Sequence, residues 1–272
     1  MPLFQSRARR QKRAEDAARQ KEREQRYRSE RDQWKLIAKR VRDFASRRYL
    51  RGQGIEIGAL HRPLALYEGA TAKYVDRLST EDVRRYYPDV GDKPQVNVDI
   101  VDDAETLATI ADESVAFVIA NHMLEHTRNP IATVRNFLRV TEPGGILFMA
   151  IPDKRYTFDI DRNVTPFAHI REDYLHGPER SDRQHYEEWA RFVRKFGSEE
   201  EIQLQAEKML GERQNIHFHV WTYPEIVEMF ASMRREFGFP FDIEAAIIND
   251  DEVVTVLRKD RGTPAPNDGS PR

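Results

Sequence analysis

The 272-residue chain contains no cysteine and no long apolar run. Without cysteine, the chain cannot hold a disulfide, a Cys-ligated zinc, an iron–sulfur cluster or a thiol nucleophile. No segment approaches the roughly 18–20 apolar residues that a transmembrane helix needs, and the first residues are too polar for a secretory signal. These absences predict a cytoplasmic protein without a membrane span.

The chain also lacks a strong overall charge, but its two parts differ in sign. The formal net charge is −2, yet residues 1–50 hold 17 basic and 7 acidic side chains while the rest holds 27 and 39. The head is therefore basic and the body acidic, and the net charge of the whole chain says little about partners.

Residues 6–49 contain neither proline nor glycine and are rich in strong helix formers. This composition predicts that residues 1–50 form a basic N-terminal helix. Apolar side chains recur at heptad spacing only from Tyr27 onward, so residues 27–48 are predicted to dock on the same chain, on a protein partner or on a second copy. Interspersed acids and the lack of an aromatic platform make nucleic-acid or membrane-surface binding the least favoured alternative.

Short apolar segments alternate with helix-like segments from residue 54 onward. Two of them, 115–120 and 145–151, are apolar throughout, which is typical of strands buried on both faces of a parallel sheet. The pattern predicts an α/β fold with a doubly wound, mostly parallel, Rossmann-like sheet. The predicted strands are 54–58, 72–76, 95–100, 115–120 and 145–151, and the helices lie near 80–87, 104–111 and 129–141.

The second half of the chain departs from this alternation. Residues 152–222 are rich in charged and aromatic side chains and predict an inserted substrate cap, whereas 51–151 form the cofactor-binding half of the domain. Thr222 and Glu225 have the spacing of a capping box that opens a helix. Residues 223–260 are predicted to complete the domain with this helix and an antiparallel hairpin, and 261–272 to be a disordered tail.

Polar residues follow each of the first four predicted strands. Ligands of an open parallel sheet bind beyond the carboxyl ends of its strands, so these residues are predicted to meet at one edge. Asp76 stands 20 positions after Glu56, where a carboxylate can accept hydrogen bonds from both hydroxyls of a ribose. One acid after a strand is more often a helix cap than a ligand, but four polar clusters in order favour a binding site.

Five segments together resemble the class I S-adenosylmethionine-dependent methyltransferases. They are Glu56-Ile57-Gly58-Ala59, Tyr74-Val75-Asp76, Asp103-Ala104-Glu105, residues 121–126, and the turn Arg139-Val140-Thr141-Glu142-Pro143-Gly144-Gly145. The resemblance implies a seven-stranded sheet with an antiparallel last strand and S-adenosylmethionine as cofactor. The cofactor-binding residues that it implies are Glu56, Gly58, Ala59, Asp76, Arg77, Asp102, Asp103, Ala104, Asn121 and His122.

The chain departs from the family at the glycine-rich first motif. Of its usual three glycines only Gly58 is kept, and Leu60 and Arg62 stand at the other two positions. Glycine allows a sharp turn and a close approach of the backbone, so this loop must take another path. A nicotinamide dinucleotide is disfavoured, since no Gly-x-Gly-x-x-Gly precedes a helix.

The string His122-x-x-Glu125-His126 after the fourth strand has three interpretations. It matches an inverted zinc-protease motif, but it follows a buried strand rather than lying within a helix. It partly matches a Glu-x-x-Glu-His motif with which some methyltransferases bind a divalent ion. The favoured interpretation is that Asn121 and His122 line the ligand edge while Glu125 and His126 orient the loop.

The predicted cap contains five of the eight histidines. Imidazole titrates near neutral pH, so histidines here and after the fourth strand are candidate general bases. His217, His219 and Trp221 alternate and would share one face on a strand. We expect no metal, because without cysteine every ligand must be His, Asp or Glu and the spacing brings no set together. The candidate bases are His122, His126, His169 and His219, and the candidate substrate contacts are Asp153, Arg155, Asp173, His185 and Trp221.

The resemblance implies an enzyme that transfers a methyl group from S-adenosylmethionine to a small polar acceptor. It is closest to bacterial methyltransferases found beside surface-glycan biosynthesis enzymes, which points to a sugar or glycan intermediate as the acceptor. The Asn/Asp-Pro-Pro-aromatic motif of enzymes that methylate base amines is absent, which favours oxygen acceptors. The alternatives are a scaffold protein that has lost turnover and an RNA methyltransferase anchored by the basic helix.

Overall fold

The computed structural model describes Lys21 and residues 40–86 and 95–262. Two compact units divide the chain, Met1–Val41 and Arg42–Arg272. A helix, α1, covers residues 40–49. The remainder of the predicted N-terminal helix, apart from the helical Lys21, and the predicted tail beyond residue 262 lie outside the described residues.

A single seven-stranded sheet organises the described chain in the order β3-β2-β1-β4-β5-β7-β6. Strands β1 to β5 pair in parallel, and β7 runs antiparallel to both β5 and β6. The predicted mostly parallel α/β sheet with an antiparallel end is confirmed. Its strands are β1 Gly52–Ile57, β2 Ala70–Asp76, β3 Ile100–Val101, β4 Val115–Asn121, β5 Thr141–Pro152, β6 Phe241–Asn249 and β7 Glu252–Lys259.

The core lies where the apolar strands β4 and β5 meet the helices. Phe117 and Phe148 are fully buried, as expected for strands covered on both faces. Asn129 opens α3 by accepting a hydrogen bond from the N–H of Ala132, and Thr222 and Glu225 form the predicted capping box of α7. The helices after α1 are α2 Thr80–Tyr86, α3 Pro130–Val140, α4 Phe167–His176, α5 Asp182–Phe192, α6 Glu199–Gly211 and α7 Tyr223–Phe237.

The prediction of a helix near 104–111 is wrong, because Asp102 takes the hydrogen bonds that a helix would use. Its carboxylate accepts from the N–H groups of Ala108 and Thr109 at 3.2 and 2.8 Å. Leu107 also has a φ of +46°, which ends a right-handed helix. The segment is a chain of turns.

The third strand is shorter than predicted. Only Ile100–Val101 pairs with β2. The backbone N–H groups of Val96 and Val98 bond instead to the Leu60 carbonyl and the Thr80 hydroxyl, at 3.0 and 2.8 Å. These two N–H groups are thus not available for a sheet ladder.

Residues 152–222, the predicted cap, contain α4, α5 and α6. Helices α5 and α6 share a small core of their own with Ile216 and Phe218. The alternating residues His217, His219 and Trp221 do not lie on a strand of the sheet. The N–H groups of Phe218 and His219 both donate to the Glu125 carbonyl, at 2.8 and 3.3 Å, and this segment is irregular.

Within the described residues, no helix has the length and apolar character required to span a membrane.

Candidate active site

The strand register brings the predicted polar residues to one edge of the sheet. Ile57, at the end of β1, lies opposite Val75 of β2 and Ala120 of β4. Asp76 and Asn121 are therefore the next residues along β2 and β4. The carboxyl ends of the parallel strands form the edge where ligands of such sheets bind.

Glu56 lies almost fully buried in β1, with 1% of its surface exposed. One carboxylate oxygen accepts a hydrogen bond from the Leu64 N–H at 2.8 Å, whereas the other is buried without a partner. Burial raises the pKa of Glu56 to about 7, although the bond from Leu64 opposes the shift. Glu56 thus holds the loop after β1 and keeps one oxygen for a further donor.

The loop of residues 58–69 joins β1 to β2 without a helix. Gly58 has a φ of +65°, and a Cβ atom there would meet nothing within 4 Å. Leu60 also adopts a left-handed backbone, with a φ of +50°, where the family has glycine. The loop thus turns without the second glycine and leaves open space beside Gly58.

The three predicted acids at the ends of β2 and β3 have different surroundings. Asp76 accepts a hydrogen bond from the Leu78 N–H at 3.0 Å, and burial raises its pKa. Asp102 is saturated, because both of its oxygens accept bonds from the following turn. Asp103 is exposed and accepts from the Glu105 N–H. Asp76 and Asp103 fit a ligand contact, whereas Asp102 shapes the turn.

An ion network around the buried carboxylate of Glu252 fixes His122 just beyond the end of β4. The Nε2 atom of His122 lies 2.7 Å from the Oε2 atom of Glu252, and Arg42 binds the same carboxylate through Nε at 2.6 Å and through Nη2. Burial alone would lower the pKa of His122, but the bond with Glu252 and the charge of Glu125 overcome it and raise the pKa. Burial alone would raise the pKa of Glu252, but the hydrogen bonds and charges of Arg42 and His122 lower it to about 2.

Sequence reasoning missed Glu252 and Arg42. Glu252 pairs with Pro152 in the antiparallel register of β5 and β7, so the first residue of β7 reaches the ligand edge. A signal existed in the acid at the start of a predicted strand after a tight turn. Nothing in the sequence indicated Arg42, whose partner lies 210 positions away.

Glu125 and His126 form a cluster with His217 from the segment before α7. One ligand atom from each lies within 4.8 Å of the others. Both carboxylate oxygens of Glu125 are buried without a hydrogen bond. The Nδ1 atoms of both histidines form hydrogen bonds outside the cluster. Nδ1 of His217 lies 2.6 Å from the Asp159 carboxylate, and Nδ1 of His126 lies 3.0 Å from the Ile216 carbonyl. His126 is therefore held in place, and burial lowers its pKa.

A second cluster joins four of the predicted catalytic and substrate residues. His169, Asp173, His185 and His219 each offer one atom within a shared 4.8 Å. The Nε2 atoms of His169 and His185 are 3.1 Å apart. Burial lowers the pKa of His185 to about 3 and that of His219 well below its usual value. Both rings are neutral at physiological pH.

The other predicted substrate contacts lie elsewhere. Arg155 pairs with Asp153 through Nε and Nη2 at 2.9 and 2.6 Å, and Asp153 also accepts from the Tyr223 N–H at 3.0 Å. Trp221 is 1% exposed and its ring stacks on that of His219, with centroids 5.7 Å apart. Asp153 and Trp221 thus hold the cap on the sheet in this conformation.

Comparison with known proteins places the chain in a family. A family model described as a methyltransferase domain matches residues 25–232. A comparison with curated proteins finds no match.

Comparison with solved structures finds similar proteins at low sequence identity. A putative S-adenosyl-L-methionine-dependent methyltransferase from Methanococcus maripaludis is 13% identical, with 85% of this chain and 89% of that one covered and a TM-score of 0.44. A methyltransferase from Methanosarcina mazei is 17% identical, with 79% and 96% covered and a TM-score of 0.44. A putative Zn-dependent alcohol dehydrogenase from Rhodobacter sphaeroides is 13% identical, with 81% and 89% covered and a TM-score of 0.51, a likeness of fold alone. On its match to the family model, the chain belongs to the methyltransferase domain family and is a class I S-adenosylmethionine-dependent methyltransferase.

Proposed function

We propose that the enzyme transfers the methyl group to a hydroxyl of a small polar acceptor, with His122 as the general base. The observation that carries this proposal is the placement of His122. It stands at the ligand edge of β4, and the buried carboxylate of Glu252 binds its Nε2 atom at 2.7 Å. Such a carboxylate fixes the ring and stabilises its protonated form.

The residues at the edge suit S-adenosylmethionine. Asp76 would accept from the ribose hydroxyls, and Asp103 beside Ala104 from the adenine amine. Open space beside Gly58 admits a close approach of the cofactor, and Ala59 and Arg77 are proposed as further contacts. The buried Oε2 of Glu56 and Nδ2 of Asn121 lack partners and can take a donor and an acceptor. The bound cofactor supplies an electrophilic methyl group on its sulfonium.

His122 has the chemistry of a base. In the neutral ring, Nε2–H donates to Glu252 and Nδ1 keeps a lone pair for the proton of the acceptor hydroxyl. Glu125 places its Oε1 atom 3.9 Å from Nδ1 and stabilises the imidazolium that forms. A hydroxyl becomes a better nucleophile as it loses its proton, so removal of this base slows transfer to oxygen.

Residues 152–222 are proposed as the acceptor-binding cap of the domain. Tyr156 and Phe158 follow β5 and are 62% and 56% exposed, which is unusual for large apolar side chains. The ring of Phe158 contacts those of His217 and Trp189, at 4.8 and 5.6 Å between centroids. An aromatic face beside imidazoles suits the C–H face and hydroxyls of a sugar, which supports a sugar or glycan intermediate as the acceptor.

The test is a methyl-transfer assay with radiolabelled S-adenosylmethionine and a panel of nucleotide sugars and oligosaccharides. We expect His122→Ala to lower kcat by about 100-fold or more, with cofactor affinity within about threefold. His176→Ala is the matched control, because His176 is an exposed histidine whose ring lies 3.4 Å from Glu172. Full activity of His122→Ala would exclude its role as base.

Two rival functions have distinct outcomes in the same experiments. A scaffold protein would show no heat of binding with S-adenosylmethionine in calorimetry, whereas the enzyme binds it. An RNA methyltransferase would bind RNA with an affinity that falls steeply as salt rises. Turnover of a sugar acceptor together with a flat salt response would remove both.

A further inference from the structure

We infer that His169, Asp173, His185 and His219 form a binding site for a divalent transition metal, with zinc as the best match, that fastens the cap. This inference is independent of the proposed methyl acceptor, and it departs from the expectation, drawn from spacing in the sequence, that the chain binds no metal. The four residues come from α4, from α5 and from the irregular segment before α7. A metal would join three parts of the cap that are separate in sequence.

The spacing of the ligand atoms suits a tetrahedral ion. Zinc binds imidazole nitrogen at about 2.0–2.1 Å, so neighbouring ligand atoms of a tetrahedron lie about 3.3 Å apart. The Nε2 atom of His169 lies 3.1 Å from Nε2 of His185 and 3.3 Å from Oδ2 of Asp173. Three nitrogens and one carboxylate oxygen suit zinc, whereas magnesium and calcium prefer oxygen ligands alone.

The cluster contains buried polar atoms that no neighbour satisfies. The Nδ1 atom of His219 and the Oδ2 atom of Asp173 are buried and make no hydrogen bond. His219 is fully buried and Asp173 is 3% exposed. A buried polar atom without a partner costs about 1–3 kcal/mol, and a metal ion bound here would satisfy both atoms at once.

The opposite atoms of these ligands are held by hydrogen bonds, which is typical of metal sites. The Nε2–H of His219 donates to the Arg128 carbonyl at 3.3 Å, so Nδ1 carries the lone pair. The Oδ1 atom of Asp173 accepts from the Ser181 hydroxyl at 2.7 Å.

Access to the site is one-sided. The side chain of His169 is 23% exposed, whereas His185 is 5% and His219 0% exposed. The ion would enter past His169 and, with four protein ligands, would have a complete tetrahedral shell. A complete shell identifies a structural rather than a catalytic ion. In that case His169 and His219 have no lone pair left to act as bases, and His122 and His126 are the remaining candidates.

The test uses the full chain, incubated with excess zinc, desalted and measured by elemental analysis. We expect one zinc per chain in the wild type and a tetrahedral absorption spectrum after replacement by Co²⁺. The variants His169→Ala and His185→Ala should bind zinc at least tenfold more weakly. Loss of a group that only supports a metal ligand already lowers metal affinity by about 10–100-fold. His176→Ala, on the same helix but outside the cluster, should bind like the wild type.

Two further measurements keep the inference open to disproof if a ligand variant fails to fold. Chelation of the wild type should lower the Tm, and added zinc should restore it, because an ion that binds only the folded state stabilises it. Ser181→Ala keeps all four ligands and should weaken zinc binding through Asp173. No stoichiometric zinc in the wild type would overturn the inference. So would zinc that is kept in His169→Ala but lost in His126→Ala, which would place the ion in the neighbouring cluster.

Discussion

The acids along the ligand edge resemble one another in sequence, and their surroundings separate them. Both oxygens of Asp102 accept hydrogen bonds, four in all, whereas the bond that Asp76 accepts from the Leu78 N–H engages its Oδ1 atom. Asp76→Ala should therefore weaken binding of S-adenosylmethionine by roughly 1.5–3 kcal/mol, the range for a hydrogen bond to a charged group. Titration calorimetry measures the change.

A matched control for Asp76 lies at the opposite edge of the sheet. Asp242 is 68% exposed and pairs with Arg234 on the surface, so Asp242→Ala should leave cofactor affinity unchanged. Wild-type affinity in Asp76→Ala would show that this acid does not bind the ribose. Asp102→Ala should instead lower the stability of the fold, because the turn that it holds loses its acceptor.

Glu56 provides a prediction about pH. Its pKa is raised in the folded state to about 7 from 4.5, so the folded chain binds its proton more tightly than the unfolded chain does. The associated stability is complete below pH 4.5 and is lost as the pH rises to about 7. Glu56→Gln, which stays neutral, should be roughly 1–3 kcal/mol more stable than the wild type at pH 8 and close to it at pH 5. Urea unfolding at the two pH values measures this.

The same experiment has an internal check. The amide of Gln keeps an oxygen for the Leu64 N–H, so a gain at pH 8 reports the charge and not the bond. A Glu56→Gln chain that is less stable than the wild type at both pH values would show that the carboxylate is paired in the folded state. Sequence analysis marked Glu56 as a site residue, but its buried and unpaired oxygen depends on the path of the loop after β1.

At the level of elements, the hydrophobic pattern predicts the strands and helices whose positions depend on burial of their apolar side chains. The pattern correctly predicts β4, β5 and α7. Uninterrupted short apolar segments and a capping box are local signals. The segment 104–111 failed because Asp102, just before it, takes the backbone N–H groups of Ala108 and Thr109. The segment with His217 and His219 is not a strand, because two of its backbone N–H groups donate to the Glu125 carbonyl, which lies more than 90 positions earlier in the chain.

The end of helix α1 should matter more than the chain before it. Ala45 and Ser46 are buried, and the Ser46 hydroxyl donates to the Ala65 carbonyl at 2.7 Å. A chain that begins at residue 49 loses these contacts and the Arg42 ion pair, and should unfold at a Tm several degrees lower. A chain that begins at residue 31 keeps them and should melt like the full chain. Thermal unfolding followed by circular dichroism compares the three.

The truncated chain that begins at residue 31 also tests the predicted role of the basic segment. If the chain that begins at residue 31 still binds S-adenosylmethionine but is an assembly of fewer copies than the full chain in size-exclusion chromatography, the N-terminal segment mediates self-association. Equal melting of all three chains would mean that α1 adds nothing to the stability of the domain.

Over the whole molecule, one ion network joins three distant parts of the chain. Arg42 comes from α1, His122 from the end of β4 and Glu252 from the start of β7. Their pairing was beyond the reach of local sequence patterns, since the two partners are 130 and 210 positions from Glu252. Such contacts become visible only after the sheet has brought its carboxyl edge together.

The network itself contributes most to the stability of the fold within one window of pH. The pKa of Glu252 is lowered to about 2, so its contribution is present above its ordinary value of 4.5 and is lost as the pH falls toward 2. The pKa of His122 is raised, so its contribution is complete below its ordinary value of 6.5 and is lost as the pH rises through the folded value. Both contributions are present together between pH 4.5 and 6.5.

Glu252→Gln should therefore destabilise the chain most within that window. Removal of one partner leaves Arg42 and His122 beside an uncharged amide, and breaking a buried ion pair of this kind costs about 3–5 kcal/mol. Glu244→Gln is the matched control, because Glu244 lies in the same hairpin but pairs with Arg258 at the surface and should change stability by less than about 1 kcal/mol. Urea unfolding at pH 3.5, 5.5 and 8.5 (chosen on the two sides of the window and within it) compares the variants. A loss that is equal at all three pH values would mean that Glu252 acts through packing and not through its charge, and His122 would then lack the partner that equips it as a base.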